Sequence, residues 1–303
     1  MAQISFLDGG LGQEINTRSS AEKSHPLWSI KVMQEEPDII VDVHQDFINS
    51  GARTITINTY TATPTRLTRH HHIEHFTAFH HMAITLAEKA IAQSNSARDE
   101  ITLAGCLPPL AASYVAEEAL DYEASVDEFH AIIDAGKGGV DIFMAETMSN
   151  ITEAKAAVHA LKSSGFDSYV SLTLSDNCNN TLRSGEPLEQ AIDELGALGL
   201  AALNLNCSFP EAIDKAMPLL GRSGIKCGAY ANGFTSIEAL APGTTVDNLT
   251  ARQDLSKTVY STHVDRWIAD GATIIGGCCE IGPDYIAHLK THLEAQGHNL
   301  VKL

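Results

Sequence analysis

The chain has 303 residues, 44% hydrophobic and 19% charged, with 22 Gly and 10 Pro, an ordinary globular composition able to bury a core without disulfide support. Acidic residues outnumber basic ones 38 to 20, a formal net charge of -18, which argues against nucleic acid and anionic membrane surface as partners. No stretch approaches the roughly 18 apolar residues of a membrane span, and Met1 to Phe6 lacks a basic leader, so a cytoplasmic location is expected.

In chain order, eight short apolar runs rich in β-branched residues have the character of strands buried on both faces. They are Ile4 to Leu7, Thr54 to Thr59, Ile101 to Leu107, Asp141 to Thr147, Tyr169 to Leu174, Ala201 to Cys207, Lys226 to Tyr230 and Thr273 to Gly277. Amphipathic spacing predicts helices over Asp38 to Asn49, Phe76 to Ala92, Ser125 to Ala135, Ile151 to Ser163, Leu188 to Leu198, Glu211 to Leu220, Leu255 to Ala269 and Pro283 to Ala295. Such alternation demands a parallel sheet, and eight repeats favour a closed (β/α)8 TIM barrel, read as one α/β domain over residues 1 to 303. No G-x-G-x-x-G follows the first run to support an open doubly wound sheet. The two longest connections, Tyr60 to His75 and Asn232 to Gln253, follow strand C-termini, where barrel enzymes keep their active-site loops.

Those strand ends carry polar chemistry: Asp8, Asn58 and Tyr60, Cys106, Glu146, Asn206 and Cys207, Tyr230 and Asn232, and Cys278 and Cys279. Six Cys are too few for a disulfide scaffold, and a bond between the neighbours Cys278 and Cys279 would be strained. Strands six and eight are separated in the ring only by strand seven, so Cys207 should converge with Cys278 and Cys279 at the mouth. Three thiolates hold zinc at about 2.3 Å and leave one tetrahedral corner for a substrate. The bland alternative is that Cys207 is a small buried hydrophobe and the pair an accident. Gly276 and Gly277, which let the backbone bend tightly just before the pair, weigh against accident.

The same segments resemble the zinc-dependent homocysteine S-methyltransferase family. The matches are Asp8-Gly9-Gly10 with Gly12, Asn58-Thr59-Tyr60, Ala145-Glu146-Thr147, Asn206-Cys207-Ser208, and Gly276-Gly277-Cys278-Cys279 followed by Gly282-Pro283. The resemblance implies a zinc ion on Cys207, Cys278 and Cys279 with the homocysteine sulfur as fourth ligand. It also implies that Asp8 and Glu146 hold the amino acid's ammonium, that backbone N–H groups of Gly9 and Gly10 take its carboxylate, and that Asn206 belongs to the substrate site. The physics agrees, since an ammonium wants carboxylates and a carboxylate approaching main chain wants glycine.

Two departures lie on the side where a methyl donor should enter: Gly105-Cys106-Leu107-Pro108-Pro109 where the family often shows Gly-Ser-x-Gly-Pro, and Tyr230-Ala231-Asn232 for Tyr-Pro-Asn. Cys106 is left out of the ligand set, and Cys178 and Cys227 receive no role. The segment from His70 to His81 holds six of the 14 His. His71 and His75 could share a helix face, but without an H-E-x-x-H pattern the segment reads as a solvated helix start with adventitious metal affinity.

Homocysteine and a small-molecule methyl donor are the expected partners. A cationic donor suits an anionic acceptor, which favours S-methylmethionine, then S-adenosylmethionine. Betaine would call for an aromatic cage, for which only Trp28 is an obvious wall. The alternative is a subunit served by a separate corrinoid protein; a zinc hydrolase, which more often uses His or carboxylate ligands, ranks last. A selenium analogue of the acceptor and the oligomeric state stay open.

Overall fold

The computed structural model describes residues 2–20, 26–237 and 249–303. The part of the connection from Asn232 to Gln253 that spans 238–248 lies outside the described residues, as does Met1. Strands β1 (Gln3–Phe6), β2 (Thr54–Thr56), β3 (Thr102–Leu107), β4 (Ile142–Met148), β5 (Tyr169–Leu172), β6 (Ala202–Asn206), β7 (Cys227–Tyr230), β8 (Ala272–Ile275) and β9 (Asn299–Val301) form one parallel sheet in the order β2-β3-β4-β5-β6-β7-β8-β1-β9. Helices pack outside it: α1 (Leu11–Arg18), α2 (Trp28–Glu35), α3 (Pro37–Asn49), α4 (Pro64–Arg69), α5 (Phe76–Gln93), α6 (Tyr122–Gly136), α7 (Ile151–Ser163), α8 (Leu188–Gly196), α9 (Pro210–Gly221), α10 (Lys257–Ala269) and α11 (Pro283–Ala295).

Each expected run becomes a strand, β3 and β6 being buried at every position as two-faced strands must be. The sheet curls until β1 meets β2 through the Leu7–Thr54 bridge, with Arg53 N donating to the Phe6 carbonyl (2.8 Å) and Asp8 N to that of Thr54 (3.0 Å). This is the TIM-barrel-like fold the alternation predicts.

The ninth strand is a departure from the expected eight. Three residues, Asn299–Val301, pair in parallel with Gln3 to Ser5 of β1, and Leu303 then donates its N–H to Thr54 Oγ1 and accepts from Thr102 Oγ1, both at 3.0 Å. A three-residue strand that is nowhere fully buried carries no hydrophobic period to read. Inside the barrel, Leu7, Ala104, Met144, Ala202, Tyr230 and Ile274 pack together, with Leu303 among the residues against them.

The upper ends of β7 and β8 are locked from outside by one hydroxyl. Tyr260 of α10, fully buried, accepts a hydrogen bond from Ala231 N (3.1 Å) and donates to the Gly276 carbonyl (2.8 Å). Two residues further on, Cys278 N donates to the Ala231 carbonyl at 2.9 Å, so the same junction sets the height of the paired cysteines.

Removing that hydroxyl strands a buried N–H and a buried C=O, each costing about 1–3 kcal/mol. Tyr260→Phe is therefore expected to fold but to lose about 2 kcal/mol in urea unfolding. A loss under 0.5 kcal/mol would show that the junction is held elsewhere.

Candidate active site

The cysteines converge as the register requires. Cys207 follows β6, Cys278 and Cys279 follow β8, and their sulfurs lie within 4.8 Å of one another. Zinc bonds of about 2.3 Å in tetrahedral array place sulfurs about 3.8 Å apart. Cys207–Cys279 at 3.7 Å and Cys278–Cys279 at 4.0 Å match that spacing, and Cys207–Cys278 at 2.6 Å must open to admit an ion.

The electrostatics point the same way. Burial pushes the Cys207 thiol up, but hydrogen bonds from Cys278, Cys279 and Tyr114 outweigh it and leave it well below the usual thiol range. Cys278 is pushed well up by its hydrogen bond to Cys207 and by Cys279, then by burial. Cys279 is likewise held well up, its bond to Cys207 first and burial behind it. One thiolate is comfortable and three are not, unless a cation joins them. The donor set, soft and short of positive charge, fits a zinc-type ion.

Strain marks the backbone at this point. Cys207 has φ 45 and Thr147, following Glu146 at the end of β4, has φ 61, a left-handed conformation costly for a β-branched residue. Asn206 holds both turns together: its Oδ1 accepts from Thr147 N (3.0 Å) and its Nδ2 donates to Thr147 Oγ1 (2.9 Å). Although Asn206 lines the cavity, its amide is committed to shaping the β4 and β6 ends.

Beside the thiols sit the two carboxylates. Asp8 is 7% exposed and accepts from Thr56 N at 2.9 Å; burial first, and the charge of Glu146 in addition, hold its carboxyl well above the usual range. Glu146 accepts from Tyr230 OH (3.0 Å) and from Cys106 Sγ (3.5 Å), and burial pushes it to about 7 in spite of those bonds. Tyr230 is itself anchored by Ser171, hydroxyl to hydroxyl at 2.5 Å.

Gly9 and Gly10 connect this side to the cysteine side. A Cβ on Gly10 would lie 2.7 Å from the Cys278 carbonyl oxygen, so the first loop can lie against the cysteine-bearing loop only with glycine there. Gly10 N is already donated to the Ile281 carbonyl (2.9 Å), which occupies one of the two amides expected to face a carboxylate. The loop then enters α1, whose first residues Leu11, Gly12 and Gln13 line the same cavity as Asp8, Glu146 and the three cysteines.

The cavity also takes in residues to which the sequence assigned a minor role or none. Trp28, Tyr60 and Tyr114 all line it, so the aromatic scarcity held against a quaternary ammonium donor is a property of the whole chain and not of the mouth. Arg66, Arg69 and His70 line it as well. Cys106, set aside earlier, also lines the cavity and touches Glu146 without joining the metal trio. Tyr114, Arg66, Arg69 and His70, which the sequence did not single out for the site, come from a loop and from the short α4 and its end, where no periodicity marks them.

The His segment departs from its expected geometry. α4 stops at Arg69 and His71 is left-handed (φ 58), so His71 and His75 share no helix face. Instead exposed His72, Glu74 and His75 bring ligand atoms within 4.8 Å of one another. His80 is no solvated side chain: it is 1% exposed, bonded to the Ala62 carbonyl (3.0 Å), and burial lowers its pKa to about 4.

A parallel barrel with three converging thiols and two carboxyls in one cavity at its strand C-termini has the arrangement of a barrel enzyme, with a donor set that could hold a soft metal ion. The family model described as homocysteine S-methyltransferase matches residues 5–293, and the chain belongs to that family. It is 29% identical to the Escherichia coli homocysteine S-methyltransferase, covering 95% of this chain and 94% of the other. It is 25% identical to a selenocysteine methyltransferase of Astragalus bisulcatus, covering 94% and 90%. The crystal structure of the metallated form of the Escherichia coli homocysteine methyltransferase MmuM superposes with a TM-score of 0.80 at 25% identity, covering 96% of each chain. Among the described residues, no helix is long and apolar enough to cross a membrane.

Proposed function

We propose that the protein transfers a methyl group from a small sulfonium, S-methylmethionine before S-adenosylmethionine, to the zinc-held thiolate of homocysteine, giving methionine. The observation that carries this reading is the meeting of three thiols and two buried carboxylates in one cavity. Cys207, Cys278 and Cys279 would hold zinc, which supplies an acceptor sulfur kept as a nucleophilic thiolate at neutral pH, where a free thiol of pKa about 8.5 is mostly protonated.

The chain's own residues do the rest. Asp8 and Glu146 face an ammonium whose charge relieves both of them, and Tyr230 fixes Glu146 in place. The acceptor carboxylate lies against the backbone of Gly9 and Gly10 at the N-terminus of α1, where helix N–H groups favour an anion. Trp28 presents its ring to a cationic donor, whereas the rings of Tyr60 and Tyr114 already lie against the guanidinium groups of Arg66 and Arg183. In the transfer the donor's C–S bond breaks with its electron pair left on the donor sulfur, while the acceptor thiolate's pair forms the new C–S bond. Sulfonium and thiolate become two neutral thioethers, and no proton moves. Charge therefore cancels along the reaction, which a dry cavity favours over water.

Metal analysis is expected to find about one zinc per chain, lost on changing Cys207, Cys278 or Cys279 to Ala. Stoichiometric zinc in all three variants, with His72 and His75 required instead, would move the metal to the His segment.

Glu146→Gln and Asp8→Asn should keep zinc while weakening homocysteine use by 2–5 kcal/mol, about 30-fold or more. Because Glu146 titrates near 7 and the clamp needs its ionised form, acceptor binding should tighten as pH rises from about 6 to about 8, and Glu146→Gln should flatten that rise relative to the unaltered protein. Identical homocysteine dependence and pH profiles would return both residues to structural roles.

The donor is read by incubating zinc-loaded protein with homocysteine and one donor at a time and measuring methionine. S-methylmethionine should turn over fastest. Turnover with methylcobalamin or a corrinoid protein but with neither sulfonium would replace this proposal by the corrinoid-partner one.

A further inference from the structure

The loop between β3 and α6 is pinned at its start and reaches across the barrel mouth. Leu110 N donates to Glu153 Oε1 of α7 (2.9 Å), Thr63 Oγ1 donates to the Leu110 carbonyl (2.7 Å), and Arg66 donates to the Pro109 carbonyl (2.8 Å). From this base Tyr114 places its hydroxyl 2.8 Å from Cys207 Sγ. Its backbone is left-handed, φ 65, a conformation that a bulky residue holds only when its surroundings enforce it.

The other face of the ring is held as well. The Arg183 guanidinium, from the connection between β5 and α8, lies 5.0 Å from the Tyr114 ring centroid. Arg183 is only 8% exposed and is fixed by Asp176 (3.0 Å) and by Thr173 Oγ1 (3.1 Å). Thr173 Oγ1 in turn donates to the Cys207 carbonyl at 3.1 Å. Cys207 is thus braced twice from one cluster, at its sulfur through Tyr114 and at its backbone through Thr173.

We infer that Tyr114 is a positioning residue for the thiolate centre, its hydroxyl donating to Cys207 Sγ so that this sulfur is fixed in place and part of its charge is drawn off. The inference rests on the proposal that the three thiolates hold zinc. A metal-bound thiolate carries no proton, so the tyrosine hydroxyl is the donor. Three thiolates leave a zinc centre with net charge -1, and a fourth from the substrate makes it -2. One fixed O–H dipole at that point stabilises the anionic set and makes Cys207 the least electron-rich of the protein sulfurs. Cys278 and Cys279 have no such donor among the hydrogen bonds described for their sulfurs. Outer partners of this kind typically change metal affinity 10–100-fold.

The test compares unaltered protein with Tyr114→Phe, which keeps the ring and its place under Arg183, and with Tyr114→Leu, which removes both ring and hydroxyl. Zinc retention against a chelator should weaken about tenfold in Tyr114→Phe. In cobalt-substituted protein the thiolate-to-metal absorption should move to longer wavelength, because a sulfur freed of its hydrogen bond gives up electron density more readily. Tyr114→Phe with unaltered chelator competition and an unaltered cobalt spectrum overturns the inference, and so does loss of zinc confined to Tyr114→Leu, which would make the residue a packing element. Unaltered protein lacking thiolate-to-cobalt absorption overturns the zinc proposal and this inference with it, whereas normal absorption that Tyr114→Phe leaves unmoved overturns this inference alone.

Discussion

The barrel mouth concentrates acid groups that cannot all be ionised together: three thiols and the carboxyls of Asp8 and Glu146, all drawn out of water. Burial removes the solvent that would stabilise their charges, and each ionised member raises the cost of ionising the next. The buried guanidinium of Arg66 faces Tyr60, Glu153 and Cys106, and no cation of the described residues is among the causes that set the three thiols or the two carboxyls. The deficit is divided in space, a soft trio on one side and a hard pair on the other. On the proposed reading a metal ion would complete the first and an ammonium the second.

Holding acid groups at such spacing demands a stiff frame, and the frame is built from strand ends. A left-handed residue lies near the end of β4 and another just after β6, and Asn206 is tied to the first, its immediate neighbour Cys207 being the second, with both ends of its amide on Thr147. Tyr260 does the corresponding work between β7 and β8 from outside the sheet. Gly10 lets the first loop press against the cysteine loop, so the carboxylate side and the thiol side share a backbone contact. Displacing one of these supports would be felt by residues from several strands at once.

The fold and the convergence of the strand-end side chains were legible because both are written in patterns that survive without coordinates. Alternating strands and helices fix a barrel, the barrel fixes which residues lie at strand C-termini, and that places Asp8, Glu146, Cys207, Cys278 and Cys279 on one face. What was not legible lies where pattern fails. Tyr114 sits in a loop of no period, 93 positions from the cysteine it touches. β9 is too short and too exposed to announce itself. Asn206 was recognised as belonging to the site, but its geometry shows a side chain turned to Thr147, which no spacing rule distinguishes from one turned to a ligand. The Gly10 amide likewise has a partner, Ile281, that only the fold brings near.

The seam between β8 and β1 joins residues near opposite ends of the numbering, with Ser5 opposite Ile274 and Phe6 opposite Ile275. Contacts so distant in sequence form late, since a long loop must be closed before they return anything. Asp8 stands on one lip of that seam, and Cys278 and Cys279 stand just beyond the other. During synthesis, Cys207 emerges well before Cys278 and Cys279, and the three can meet once β6, β7 and β8 lie side by side. Asp8 joins them only when β1 closes on β8. The parts of the pocket therefore differ in what they ask of the topology: the cysteines share one stretch of sheet, whereas Asp8 and the cysteine loop line one cavity only in the finished ring.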